Sequence, residues 1–123
     1  MAKYPMADGQ EKHVLPLSWV RESGNLVFIS GHGAVGENGD FVSDTFEGQM
    51  RYTMGQLQKT LEAAGMGWGN VIQVRSYVQH QKDIPLYNQL YREYLSEPYP
   101  ARTTIVNCLP DGLLFEIDCI AER

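Results

Sequence analysis

No apolar run in the sequence approaches the ~20 residues that a membrane-spanning helix requires, so no such helix is expected. The first twelve residues, Met1 to Lys12, are polar and lack the apolar segment of a secretory signal; a cytoplasmic location is the expectation. Cysteine is scarce. Cys108 and Cys119 lie eleven apart without CxxC or Cys/His spacing, which predicts two buried thiols in a reducing compartment rather than a disulfide framework. The three histidines, His13, His32 and His80, form no HxH or HxxxH pattern, so no metal site is expected. Basic residues number 10 against 15 acidic ones, for a net charge of −5, and they are scattered singly. Nucleic-acid binders usually carry a basic face, which this pattern does not supply. Gly65-x-Gly67-x-Gly69 follows a helical stretch and precedes no Lys-Ser/Thr pair, so it reads as a helix cap and loop, not a phosphate cradle. Ser30 has no nucleophile-elbow context. Neither a metal nor a nucleotide cofactor is called for.

What the 123 residues do contain is an ordinary apolar fraction of 43% and no linker or repeat, which fits one domain over residues 1–123. Val20–Glu22 and Leu26–Ser30 flank Ser23-Gly24-Asn25 and predict a β-hairpin; Gly31–Gly36 reads as strand end plus loop, and Glu37–Asp40 as a turn. Phe46, Met50, Met54, Leu57, Leu61 and Ala64 form one stripe of a long helix. Asp44 or Thr45 is placed to cap its start and Gly65 its end; Gly55 within it is read as a close approach to the sheet. Val71–His80 is β-branched and aromatic and predicts a strand with Ile72, Val74, Ser76 and Val78 on one face. A second helix is expected from Ile84 to Ser96, capped by Asp83, with Tyr87, Leu90, Tyr91 and Tyr94 buried and with Pro98 and Pro100 beyond its end. Arg102–Leu109 and Leu113–Ala121 then flank Pro110-Asp111-Gly112, a turn signal. In the last strand the odd-numbered residues from Leu113 to Ala121 are the expected core face. The order ββ–α–β–α–ββ gives an α+β fold, a mixed sheet with both helices on one face. If Val74, Val106 and Ile120 point to the other face, that face is expected to pack against further copies of the chain.

Arg102 starts a strand directly after Pro100-Ala101, and a guanidinium on a rigid strand end suits a carboxylate. A tight hairpin centred on Asp111 would set Arg102 opposite Ile120 and Thr104 opposite Asp118. Glu116 would then share the face of Arg102, roughly 13 Å away at ~3.3 Å per residue. A surface arginine and a solvated acidic strand face fit the same spacing. His32, beside Ser30 and Gly31, is either a proton carrier or a loop histidine without a catalytic role; Trp19 and Trp68 read as packing residues.

The block Pro100-Ala101-Arg102-Thr103-Thr104, through Leu109-Pro110 to Phe115-Glu116-Ile117 and Ile120-Ala121, resembles the reactive intermediate deaminase (RidA/YjgF) family. Gly24-Asn25-Leu26-Val27-Phe28-Ile29-Ser30-Gly31, Gln49–Gly65 and Tyr87-Asn88-x-x-Tyr91 extend the resemblance over the chain from about Pro16. The resemblance implies a chorismate-mutase-like fold assembled as a homotrimer, with ligand clefts between subunits. It further implies cofactor-free deamination of 2-imino or enamine acids to 2-oxo acids and ammonia. By resemblance, Arg102 binds the substrate carboxylate with backbone help at Gly31, and Glu116 positions the attacking water. Ser30 and Asn88 line the cleft, and backbone at Thr104 contacts nitrogen or water. Two positions depart from the family pattern. Leu17 stands where a tyrosine usually follows the proline, and Thr104 where a cysteine is common. Leu17 leaves two alternatives open: a non-catalytic trimer that binds small carboxylates, and a deaminase of a degradation intermediate such as 2-aminomuconate.

Overall fold

A computed structural model of the chain describes residues 15–123; the polar N-terminal stretch and His13 lie outside the described residues. Five strands and two helices follow in the order β1 (Val20–Ser23), β2 (Leu26–Gly33), α1 (Phe46–Ala63), β3 (Val71–Val78), α2 (Ile84–Tyr94), β4 (Ala101–Val106) and β5 (Phe115–Glu122). They build one mixed sheet in the spatial order β1-β2-β5-β3-β4, with both helices on one face.

The hairpin forms as its turn chemistry dictates: Val20 pairs with Ile29 and Ser23 with Leu26, and Gly24 takes φ +58°. Strand β2 runs on through Gly33 instead of ending in a loop. A bulge lies between Ile29 and His32: Ile29 faces Cys119 and His32 faces Ile117, so Ser30 and Gly31 together span the position of Asp118. Helix α1 begins at Thr45, whose hydroxyl accepts from the Gly48 amide at 3.1 Å, and closes at Gly65 with φ +76°. All six residues of its apolar stripe are buried against the sheet. The expected close approach at Gly55 is absent, because a Cβ there would meet nothing within 4 Å.

Strand β3 ends at Val78. A register irregularity between Val71 and Gln73 turns Val71 inward and leaves Ile72 43% exposed, so Ile72 does not share the face of Val74. Helix α2 stops at Tyr94 rather than Ser96, and Asp83 makes no side-chain cap bond. Its Tyr87, Leu90 and Tyr91 are buried and Tyr94 packs partly buried. In β5 Phe115, Ile117, Cys119 and Ala121 are all buried, as alternation requires.

The expected β4–β5 hairpin is not formed. Strand β4 pairs parallel to β3, with Arg102 beside Val74 and Val106 beside Val78, while β5 runs antiparallel between β2 and β3. Pro110-Asp111-Gly112 is a turn all the same: Gly112 has φ +90° and the Leu113 amide donates to the Pro110 carbonyl. It lies inside a connection from Asn107 to Leu114 that is long enough to pass over the end of β3. The buried Gln49 amide clamps that connection, donating to the Gly112 carbonyl and accepting from the Leu114 amide, each at 2.8 Å. Val74 is therefore core, 1% exposed, and Val106 sits at the sheet edge on the helix side. Of the three residues expected on the open face, Ile120 alone is there, joined by Phe28 and Ile105.

Candidate functional site

Parallel pairing decides where Arg102 goes. It sits level with Val74, which is itself level with Cys119, so its side chain emerges on the helix face at the outer strand. The guanidinium lies over the rings of Tyr87 and Tyr91, 5.0 and 4.9 Å from their centroids, an arrangement that the ring quadrupole favours. Tyr87 is anchored in turn, its hydroxyl donating to Ser76 Oγ at 2.6 Å. No carboxylate among the described residues pairs with Arg102. It opens into a cleft of about 310 Å³ lined by Asn88, Tyr91, Arg92, Tyr99, Pro100 and Arg102. Within that lining, the Tyr91 hydroxyl is buried without a hydrogen-bond partner, and burial pushes its pKa up. Thr104 lies two residues along β4, level with Ser76 and half-buried. As an outer strand, β4 leaves one row of backbone groups unpaired within the chain.

Glu116 is on the other face. It pairs across the sheet with Tyr77 on one side and Gly33 on the other, so the expectation that it shares a face with Arg102 is overturned. The two-residue register sum assumed a hairpin, and the interposed β3 removes it. The Glu116 carboxylate rests against Gly31, where a Cβ would come within 3.0 Å of Oε2; Gly31 is small because the carboxylate lies over it. Burial, then the neighbouring Asp118 charge, raises the Glu116 pKa above the ordinary carboxylate value. Asp118 is held at both oxygens, by Arg75 Nε and by the Tyr77 hydroxyl, each at 2.9 Å. Ser30 and Gly31, at the bulge, line a second cleft of about 540 Å³ on this face with Ser18, Phe28, Arg75 and Asp118. Bulges of this kind re-aim side chains beside functional sites.

The six residues picked from the sequence thus fall into two groups. Arg102, Asn88 and Thr104 lie at the β4 edge on the helix side; Glu116, Gly31 and Ser30 lie together on the open face. Tyr87 and Tyr91 read in sequence as core and as part of the family pattern, with no role at the site, and nothing in a helical aromatic spacing distinguishes core from a floor beneath a cation. His32 is neither a loop residue nor a free proton carrier. It is 3% exposed in β2, and its Nδ1 donates to the Ser30 carbonyl while Nε2 lies 2.8 Å from the Thr60 hydroxyl. Burial lowers its pKa and holds it neutral. Cys119 is buried with its thiol pushed up to about 12, whereas Cys108 is exposed, contrary to expectation. Leu17 is 42% exposed, next to Ser18 of the open-face cleft. No group of metal-ligating side chains occurs among the described residues, and no helix among them is long and apolar enough to cross a membrane.

The family model described as "Endoribonuclease L-PSP" matches residues 12–123. The chain belongs to that family, also known as RidA/YjgF. It is 33% identical over 125 residues to the mitochondrial protein mmf2 of Schizosaccharomyces pombe, covering 98% of each chain. It is 34% identical to the chloroplastic Reactive Intermediate Deaminase A of Arabidopsis thaliana over 86% of this chain and 58% of that protein. Among solved structures, RidA from the Antarctic bacterium Psychrobacter superposes with a TM-score of 0.86 at 28% identity, covering 98% of this chain and 99% of that one. RidA-family membership accounts for the mixed five-stranded sheet with its two helices.

Proposed function

We propose that the protein hydrolyses reactive 2-imino and enamine acids to 2-oxo acids and ammonia, at clefts completed between the subunits of a homotrimer. The observation that carries this reading is Arg102: a guanidinium without a carboxylate partner, mounted on two tyrosine rings in a small cleft. A carboxylate with a raised pKa waits on the opposite face of the same sheet. Neither half is a site alone. If β4 of one subunit meets the open face of the next, Arg102 and Glu116 come together across the boundary, and the apolar Phe28, Ile105 and Ile120 are covered. The names of relatives such as Reactive Intermediate Deaminase A support the chemistry at the level of the family.

In this reading Arg102 grips the substrate carboxylate with two parallel hydrogen bonds, assisted by backbone at Gly31. Asn88 and Ser30 line the cleft, and backbone at Thr104 contacts the imine nitrogen or the water. An enamine first takes its imine form. Glu116 accepts a proton from the attacking water, whose oxygen bonds to the imine carbon while the nitrogen gains a proton. The resulting carbinolamine loses ammonia and leaves the 2-oxo acid. The imine carbon is already electrophilic, so positioning plus one carboxylate suffices; such general-base help is worth about 10²–10⁴-fold. No metal or cofactor enters these steps. A net charge of −5 also suits a small-molecule site better than an RNA track.

Leu17 favours a second reading. A methyl-bearing side chain replaces a hydroxyl at that position, and a trimer that binds 2-oxo or imino acids without turnover keeps every other feature. The experiment is ammonia release from 2-iminopropanoate formed in situ by an amino-acid oxidase. The deaminase reading expects acceleration by the protein and a loss of about 10²-fold or more in Arg102→Ala, the scale of a misplaced substrate. Tight 2-oxo acid binding without acceleration supports the second reading, and full activity in Arg102→Ala sinks the first.

A further inference from the structure

Helix α2 presents Asn88, Tyr91 and Arg92 at i, i+3 and i+4, a single face, and all three line the Arg102 cleft. The cleft therefore holds two guanidinium-bearing residues, one amide and two tyrosines, and no acidic side chain lines it. Three other arginines are held in ion pairs: Arg51 with Glu47 and Glu93, Arg75 with Asp118 and Arg123 with Glu22. Arg92 has no such partner among the described residues. Its one hydrogen bond is a long 3.4 Å donation to the Asn88 carbonyl of its own helix, outside the usual range for an N–H···O bond. Two like charges in one small cleft repel each other until an anion enters. A monocarboxylate answers only one of them.

The geometry points to a substrate with two anionic groups: a 2-imino or enamine acid carrying a second carboxylate at its far end, with Arg92 as the residue that selects it. This deepens the deaminase reading and rests on it for the role of Arg102. Arg102 takes the carboxylate beside the reacting carbon, Arg92 takes the distal one, and the faces of Tyr91 and Tyr99 flank the carbon chain between them. Within one subunit the Arg102 cleft offers about 310 Å³, room for a short dicarboxylate. Neither arginine is locked in an ion pair, so binding need break none.

The test compares 2-oxoglutarate with 2-oxopentanoate, which has the same carbon count and one carboxylate fewer. Calorimetric titration of the full chain at low salt is expected to give a Kd about tenfold lower for 2-oxoglutarate, the scale of one added charged hydrogen bond. High salt shrinks the difference, because the cleft is open to solvent. The ratio falls to about one in Arg92→Gln and stays above one in Arg92→Lys. Ammonia release from 2-iminoglutarate and 2-iminopentanoate, both formed in situ, is measured alongside. Equal affinities in the unmodified protein, or a preference that survives Arg92→Gln, overturn this inference whatever the turnover. A dianion preference that depends on Arg92, without ammonia release from either imine, upholds this inference and removes the deaminase reading. Failure of both 2-oxo acids to bind removes both.

Discussion

Glu116 is held above its ordinary pKa first by burial and then by Asp118, two residues along the same strand face. Its folded pKa exceeds the unfolded value of 4.5, so the folded state binds more protons between the two values, and stability falls as pH rises through that window. Ionised Glu116 is thus a stability cost at neutral pH, of the kind active sites tolerate. Glu116→Gln is expected to raise Tm at pH 7, with the gain vanishing at pH below 4.5, where both states are protonated; a thermal melt at each pH checks it. The same substitution is expected to lower imine hydrolysis by about 10²–10⁴-fold. A variant that loses stability at pH 7, or keeps activity, contradicts the role given to this carboxylate. At this scale, the individual residues were more legible than their relations. Arg102 and Glu116 stand out in sequence by residue type and position. Their placement on opposite faces does not, because it depends on a third strand that neither of them belongs to.

Helix α1 shows an element that its own residues specify. Its apolar period, the Thr45 cap and the Gly65 stop all agree, and all three are present. Thr45→Ala is expected to cost ~1 kcal/mol by leaving the Gly48 amide without its acceptor. Gly65→Ala forces a side chain into left-handed backbone at φ +76°, at a cost of about 1–2 kcal/mol. Urea unfolding measures both, and unchanged midpoints would contradict the capping assignments. Strands β4 and β5 show the opposite case. Their turn residues are genuine, yet a turn within a longer connection does not make a hairpin, and Gln49, far away in sequence, holds that connection. The strand–helix–strand run β3-α2-β4 carried the missing signal. A helix between two strands brings the second back parallel to the first, and that puts Arg102 next to the α2 tyrosines. Likewise, the stretch from Gly31 reads in sequence as strand end plus loop, because two glycines within three residues weaken a strand pattern. What those glycines serve is the approach of the Glu116 carboxylate.

As a whole molecule, the chain is a sheet with one covered face and one open face. Phe28, paired with Ile120 across β2 and β5, is 42% exposed, and Ile105 is 41% exposed. An apolar patch interleaved with Glu116 and Asp118 is what a subunit boundary with a built-in site requires. The alternation of β5 made this face legible in part, since its even-numbered residues had to point away from the helices. Which residues of β3 and β4 join it was not legible, because that follows from strand order. The proposed trimer turns the separation of Arg102 from Glu116 into its reason: each subunit supplies one half of two different clefts. Co-expression of Arg102→Ala and Glu116→Gln chains tests this most directly, since each variant alone is inactive but a mixed trimer places an intact Arg102 beside an intact Glu116. Random 1:1 assembly is expected to restore about a quarter of the wild-type sites, measured as ammonia release from 2-iminopropanoate. Mixed trimers that remain as inactive as either variant alone would contradict a site shared between subunits.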